Sequence, residues 1–254
     1  MRKHLVSCSA AVALAAPLLA AAQTPPPSPV TGNIMLASDY RFRGLTQTMQ
    51  RPAWQGGIDY AHPSGIYLGN WNSNVSSAIF PNSNLEMDFY GGYKKSFGDI
   101  GVDLGAIYYF YPGSLATLTN LQTGETCGSC RIDNKEIYLG ASWKFLSAKY
   151  FHSIDDLFGI PDTKNSWYLD TAATIEVGRG LSVVGHIGHQ DVHNFSDADY
   201  TDWKLGVTYD LKGWILGAAY VDTDASPSAY TFADARKTMN IGKSGVVLSV
   251  AKTF

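Results

Sequence analysis

Ser244-Gly-Val-Val-Leu-Ser-Val-Ala-Lys-Thr-Phe254 closes the chain, and its reading decides the fold. Counting back in twos from Phe254 gives Lys252, Val250, Leu248 and Val246, an apolar row interrupted by one lysine. The opposite row is Thr253, Ala251, Ser249 and Val247. Successive side chains of a strand point to opposite faces, so this spacing predicts a strand with one apolar side. A terminal strand of this kind, ending on an aromatic residue, is how bacterial outer-membrane barrels end. There the last strand pairs with the first and leaves no open edge in lipid. Closure of that kind demands an even number of similar strands upstream.

The other end of the chain fits an exported protein. Arg2 and Lys3 form a positive n-region, Leu5 to Leu19 an apolar h-region, and Ala20-Ala21-Ala22 a small-residue cleavage site. Residues 1–22 therefore read as a signal peptide cut before Gln23. A membrane anchor fits less well, because the run is short and interrupted by Pro17. Leu5-Val6-Ser7-Cys8 has the look of a lipidation box, but the apolar run follows Cys8 instead of preceding it, so Cys8 leaves with the peptide. Removal of Arg2 and Lys3 leaves 17 basic against 22 acidic residues, a net charge of −5, which is not the balance of a nucleic-acid binder. The remaining 232 residues suit one large all-β domain. Residues 23–32, with Pro25, Pro26, Pro27 and Pro29, read as an extended linker, and residues 33–254 as the barrel.

Alternation predicts strands at Asn33–Arg43, Trp54–Ala61, Gly65–Val75, Leu85–Phe97, Ile100–Tyr111, Lys135–Phe145, Ala148–Ile154, Ser166–Val177, Leu181–Gln190, Asp202–Leu211, Gly213–Asp222 and the terminal stretch. Twelve is even, and the connections alternate strictly between tiny and long. Tiny ones are His62–Gly65, Gly98-Asp99, Leu146-Ser147, Gly178–Gly180 and Lys212-Gly213; the longest are Pro112–Asn134 and Thr223–Lys243. Outer-membrane barrels show this asymmetry, with tight periplasmic turns and long surface loops. A soluble sandwich has no reason to put every long loop at one end. Outward aromatics near strand ends are expected at Tyr40, Phe42, Trp54, Phe97, Phe110, Trp143, Phe145, Trp167, Trp203, Trp214, Tyr220 and Phe254, as two interfacial girdles. In the third strand the apolar row is taken as Tyr67, Trp71 and Val75, with Asn70, Asn72 and Asn74 inside. Lys95 and Lys252 break the rows near the periplasmic end, where long stems snorkel.

At Ser38-Asp-Tyr-Arg-Phe-Arg-Gly-Leu-Thr-Gln-Thr48, at Pro52–Tyr60 and at Ser64–Asn74 the sequence resembles the TorF-family porins of proteobacteria. The similarity runs from about Asn33 to Phe254. It implies an outer-membrane barrel with a pore function, and it brings no catalytic residues. The Cys127–Cys130 loop departs from the family's pattern.

The inward rows name the candidate pore lining: Asp39, Arg41, Arg43, Asp59, Glu86, Asp88, Lys94, Asp103, Glu136, Lys144, Asp170, Glu176, Lys204 and Asp210. An interior this charged is no dry core, since unpaired buried charge costs several kcal/mol or more. These groups either form a salt-bridged plug or line water. Twelve strands lie between roughly 8, which leave a filled interior, and 16, which leave an aqueous channel. A narrow polar lumen is expected, crossed by pairs such as Asp39 or Glu86 with Arg41 or Arg43, with an acid excess favouring cations. Cys127-Gly-Ser-Cys130 in a surface loop of an exported chain reads as a local disulfide. A redox pair would need a helix N-terminus, and a metal site would need two more ligands. His186 and His189 on one strand face opposite sides and share no ion, and His152 cannot serve Ser153 as base for the same reason. No Gly-x-Ser-x-Gly elbow occurs, so no enzyme and no cofactor are expected. The leading expectation is a passive channel for small hydrophilic solutes or ions. Alternatives are a barrel enzyme acting on lipid and a closed barrel serving as receptor or adhesin. Expected partners are outer-membrane lipid and the barrel-assembly machinery, which would engage the strand ending at Phe254; nucleic acid is not among them.

Overall fold

The computed structural model describes residues 28–254. The expected signal peptide, Cys8 and the first residues of the linker lie outside that range. Twelve antiparallel strands close into one barrel. They are β1 (Val30–Ala37), β2 (Ala53–Ala61), β3 (Ile66–Asn74), β4 (Leu85–Phe97), β5 (Ile100–Phe110) and β6 (Asn134–Trp143). The second half follows as β7 (Leu146–Ser153), β8 (Trp167–Gly178), β9 (Leu181–Asp191), β10 (Tyr200–Leu211), β11 (Trp214–Thr223) and β12 (Gly245–Thr253). Each pairs with its sequence neighbours, and β12 closes on β1.

The closing register sets Leu36 opposite Val250 and Ile34 opposite Lys252. Phe254 completes it: its N–H donates to the Gly32 carbonyl at 2.8 Å, and its own carbonyl accepts from Gly32 at 3.2 Å. The tight turns and both described chain ends share one rim, and every long connection leaves the other. The turns are tight because they tolerate left-handed backbone: Arg179 and Gly180, and Lys212 and Gly213, all have positive φ.

Outside, the wall is apolar. Ile58 is 62% exposed, Leu104 58% and Leu205 59%, and in water such a continuous belt would be an aggregation surface. Trp54, Trp203 and Tyr220 sit at the long-loop rim, with Phe97, Trp143, Trp214 and Phe254 at the other. Lys252 lies over the rings of Trp214 and Phe254 at 4.8 and 5.8 Å, as a snorkelling lysine does.

Two expected features differ. The first strand begins at Val30 and stops at Ala37, so Tyr40 and Phe42 are not on the lipid face. Residues 38–52 instead turn into the barrel mouth, where Arg41-Phe42 pairs with Leu45-Thr46 as a short hairpin. Its turn is Arg43-Gly44, both at positive φ. In β3 the faces are exchanged. Trp71 is 5% exposed inside, against Tyr40 at a centroid distance of 5.4 Å. Ile66 and Leu68 face out, and Asn70, Asn72 and Asn74 share their parity. Those amides are spent on bonds within the sheet: Asn70 donates to the Asp88 carbonyl at 3.0 Å and Asn74 accepts from the Trp54 N–H at 2.7 Å. The rule that apolar faces outward fails here because the mouth of this barrel has an aromatic core of its own.

Candidate functional site: a plugged lumen

The hairpin in the mouth is held by charge. Arg41 Nε donates to Asp39 at 2.6 Å, and Thr46 and Thr48 hydroxyls donate to the other carboxylate oxygen. Arg43 reaches across the lumen to Glu136 on β6 at 2.6 Å and to Gln190 on β9 at 2.8 Å. Its guanidinium stacks on Tyr168 at 4.4 Å, Phe42 at 4.9 Å and Phe151 at 5.2 Å. Both members of that pair are buried, so neither can be removed without stranding the other. Among the described residues Glu86 pairs with no guanidinium, contrary to one expected pairing; it accepts from the Tyr40 hydroxyl at 3.1 Å.

Around this hairpin the upper lumen is packed. Trp71, Tyr109, Tyr111, Tyr138, Phe151, Tyr168 and Tyr200 are all buried from the barrel side. Phe80, from the connection between β3 and β4, stacks on Tyr111 at 4.0 Å. Surface connections tie down over it. The Asn120 amide donates to the carbonyls of Pro161 and Asn194, at 3.1 and 3.2 Å, joining three separate loops. Cys127 and Cys130 are joined by a disulfide in the β5–β6 connection.

Below the hairpin the wall is polar and largely self-paired. Asp103 takes Lys149 at 2.8 Å and the Tyr67 hydroxyl at 2.6 Å. Asp59 accepts from Tyr90 at 2.6 Å. His186 is wedged between Asp202 at 2.8 Å and Asp170 at 3.4 Å, and Tyr168 donates to Asp202 at 2.8 Å. Lys94 lies over the Tyr67 ring at 5.3 Å. Asp202, Lys149 and His186 are not among the candidates that the inward rows name. Asp202 and His186 had the right signal, since Asp202 has the parity of Lys204 and His186 stands opposite Lys204 in register. Lys149 lay in the strand with the faintest alternation.

Three expected lining residues sit elsewhere or at the margin. Lys144 is in the exposed turn after β6, over the outward ring of Trp143 at 4.8 Å, and so does not line the lumen. The turn needs φ near 54° at that position, which takes the side chain off the inward row. Glu176 is exposed at the tight-turn end of β8. Asp210 is spent on its own turn, accepting from the Gly213 N–H at 2.7 Å. His152 and Ser153 face opposite sides, with Ser153 fully buried inside beside Glu136.

Outside the spanning strands, two carboxylates are held low. Backbone N–H groups of Arg236 and Lys237, with the Arg51 guanidinium behind them, hold Asp234 down to about 2. That contact clasps the β11–β12 connection to the segment that enters the mouth. Asp155 is lowered by its bond to Lys135.

A closed barrel, apolar outside, ionic inside and with long loops on one rim only, defines a β-barrel of the bacterial outer membrane. The chain belongs to the family described as "Bacterial protein of unknown function (Gcw_chp)", whose model matches residues 21–254. No curated protein matches the sequence. Among solved structures the fold is similar to the KdgM porin, with a TM-score of 0.52 at 9% identity over 89% of this chain and 98% of that one. The KdgM porin in complex with disordered oligogalacturonate gives the same figures. A membrane protein solved in work on in-meso crystallisation gives 0.51 at 6% identity, covering 89% of this chain and 83% of that one. Identities this low carry the fold alone.

Proposed function

We propose that the protein is an outer-membrane channel through which small hydrophilic solutes or ions diffuse passively, with residues 38–52 as its plug. One observation carries this reading. The same sheet is apolar on its outer face and lined inside by ionisable and hydroxyl groups, and what fills its mouth is an inserted loop held by side chains. A barrel meant only to be stable would fill its interior with apolar side chains, since buried ion pairs add little to stability. Asp39, Arg41, Arg43, Asp59, Glu86, Asp88, Asp103, Glu136, Asp170 and Lys204 are the lining residues of this proposal, joined by Lys149, His186 and Asp202. The likeness of Ser38–Thr48 and Ser64–Asn74 to TorF-family porins supports it. The complex of the KdgM porin with disordered oligogalacturonate is a precedent for solute binding on this fold. Residues 1–22 serve as signal peptide in this reading. Outer-membrane lipid meets the apolar belt, and the barrel-assembly machinery engages the strand ending at Phe254.

Single-channel recording in planar bilayers tests it. Discrete conductance steps from heat-modifiable, folded protein are expected, and Arg41→Ala is expected to change ion selectivity. A folded protein that leaves the bilayer at baseline overturns the channel and favours a closed surface receptor. The packed aromatic mouth and the loops joined through Asn120 are the observations that favour that second reading.

A further inference from the structure

Asn70, Asn72 and Asn74 put a row of three amides on the outer face of β3, with the parity of the exposed Ile66 and Leu68. A strand rises about 3.3 Å per residue, and in such barrels it tilts by roughly 40°. Asn70 therefore lies about 10 Å below the outer end of β3. The apolar belt is roughly 25 Å tall, so the row runs from its outer edge to near its middle.

A primary amide has two N–H donors and an oxygen with two lone pairs, and the bonds inside the sheet do not fill them. Asn72 gives its N–H groups to Asn70 Oδ1 at 2.6 Å and to the Gly56 carbonyl at 3.4 Å. Among the described residues its own Oδ1 accepts nothing. Asn70 donates once, to the Asp88 carbonyl at 3.0 Å, and Asn74 once, to the Pro52 carbonyl at 3.3 Å. Each keeps a second N–H with no acceptor among the described residues. An open acceptor thus stands between two open donors. Lipid chains can answer none of them, and unpaired polar groups in hydrocarbon are costly. A lipid headgroup reaches Asn74 at the rim and not Asn70.

The surroundings of the row suit close approach. In register Asn72 has Gly56 on one side and Met87 on the other, and Asn70 has Ile58 and Phe89. Gly56 adds no side chain beside the amides, and small residues of this kind let another membrane surface come near.

We infer that the β2–β4 face is an interface for a second copy of this chain. A two-fold axis along the membrane normal keeps both barrels upright and sets each amide row against its own copy at equal depth. The open acceptor of one row then meets the open donors of the other, one step along. A patch that leaves both kinds of group open is complementary to itself, which a two-fold contact requires. Two convex barrels touch along only a few strands, and the amides occupy the middle strand of three. The assignment rests on the membrane barrel and not on the channel reading, so it holds whether or not the lumen conducts.

Oxidative crosslinking of the folded barrel in phosphatidylcholine vesicles tests it. Asn72→Cys places a thiol in the middle of the row, and Cys127 and Cys130 are already joined to each other. A covalent dimer is expected from Asn72→Cys. None above the wild-type background is expected from Leu205→Cys, whose outward side chain stands on β10 across the barrel. Ile58→Cys breaks no side-chain hydrogen bond and is expected to crosslink as well; it stands in should Asn72→Cys fail to fold. Asn70→Leu combined with Asn72→Leu is expected to weaken association roughly tenfold, read by diluting fluorescently labelled copies into lipid, with heat-modifiable mobility unchanged. Equal crosslinking at positions 72 and 205, or a wild type that stays monomeric at every lipid-to-protein ratio, overturns the interface. In whole outer membranes, crosslinking of Asn72→Cys to a different protein and never to itself overturns the second copy as its occupant.

Discussion

Arg43 carries the largest single-residue consequence. It crosses the lumen to a carboxylate on the far wall, and it does so from a turn residue at positive φ. Arg43→Ala would leave Glu136 buried without its cation, a loss of about 3–5 kcal/mol for a broken buried pair. The barrel ladder is untouched, so the cost falls on the plug. The expected outcome is a lower midpoint for cleavage of residues 38–52 by an added protease in a denaturant series, with β content by circular dichroism unchanged. Asp234 gives a pH signature. Its folded value of about 2 lies below the unfolded carboxylate near 3.9, so its contribution is present above pH 4 and lost as pH falls toward 2. The loop at residues 224–244 should therefore keep its protease resistance at pH 5 and lose it between about pH 4 and 2. Asp234→Asn should remove that step.

At the scale of elements, the inserted hairpin is the part that decides whether the barrel conducts. It reaches the wall by side-chain bonds and by a few backbone bonds to other loops, such as Thr46 N–H to the Ile241 carbonyl at 2.9 Å. None of these is part of the barrel ladder. Replacing residues 40–47 by a short Gly-Ser link is expected to raise single-channel conductance severalfold and leave heat-modifiable mobility intact. Unchanged conductance would place the restriction deeper, at the Tyr67–Asp103–Lys149 cluster. β3 teaches a different lesson. Its outward asparagines are tolerable near lipid because their amides are bonded within the sheet, whereas its tryptophan is wanted by the plug.

For the whole molecule, the apolar belt is the property that a soluble barrel would not have. Leu104 lies near the middle of β5 and points out. Leu104→Arg is expected to cost about 2–4 kcal/mol in a bilayer, as a cation at the membrane midplane does. Reversible unfolding into lipid vesicles measures this directly, and a neutral result would remove that face from the membrane. The antiparallel order with short turns means that most contacts are between sequence neighbours. The β1–β12 seam, the plug and the loop contacts made through Asn120 bring distant residues together.

How much of this was readable from residues alone follows from the same distinction. Period-2 alternation and the strict sequence of short and long connections determined the strand number, the closure of the terminal strand on the first, and the inward placement of Glu86, Asp88, Asp103, Glu136 and Asp170. Those are local facts: a pleated strand exposes one row to lipid, and the row is written in the sequence. The fate of Ser38–Arg51 was not local. Tyr40 and Phe42 alternate with Asp39, Arg41 and Arg43 as a lipid-facing strand would. Arg43-Gly44 was the only warning of a turn. Nor did any pattern show that Arg43 would meet Glu136, or that Trp71 would turn inward. Those outcomes depend on which groups face one another across the lumen, a distance set by barrel closure and not by spacing along the chain.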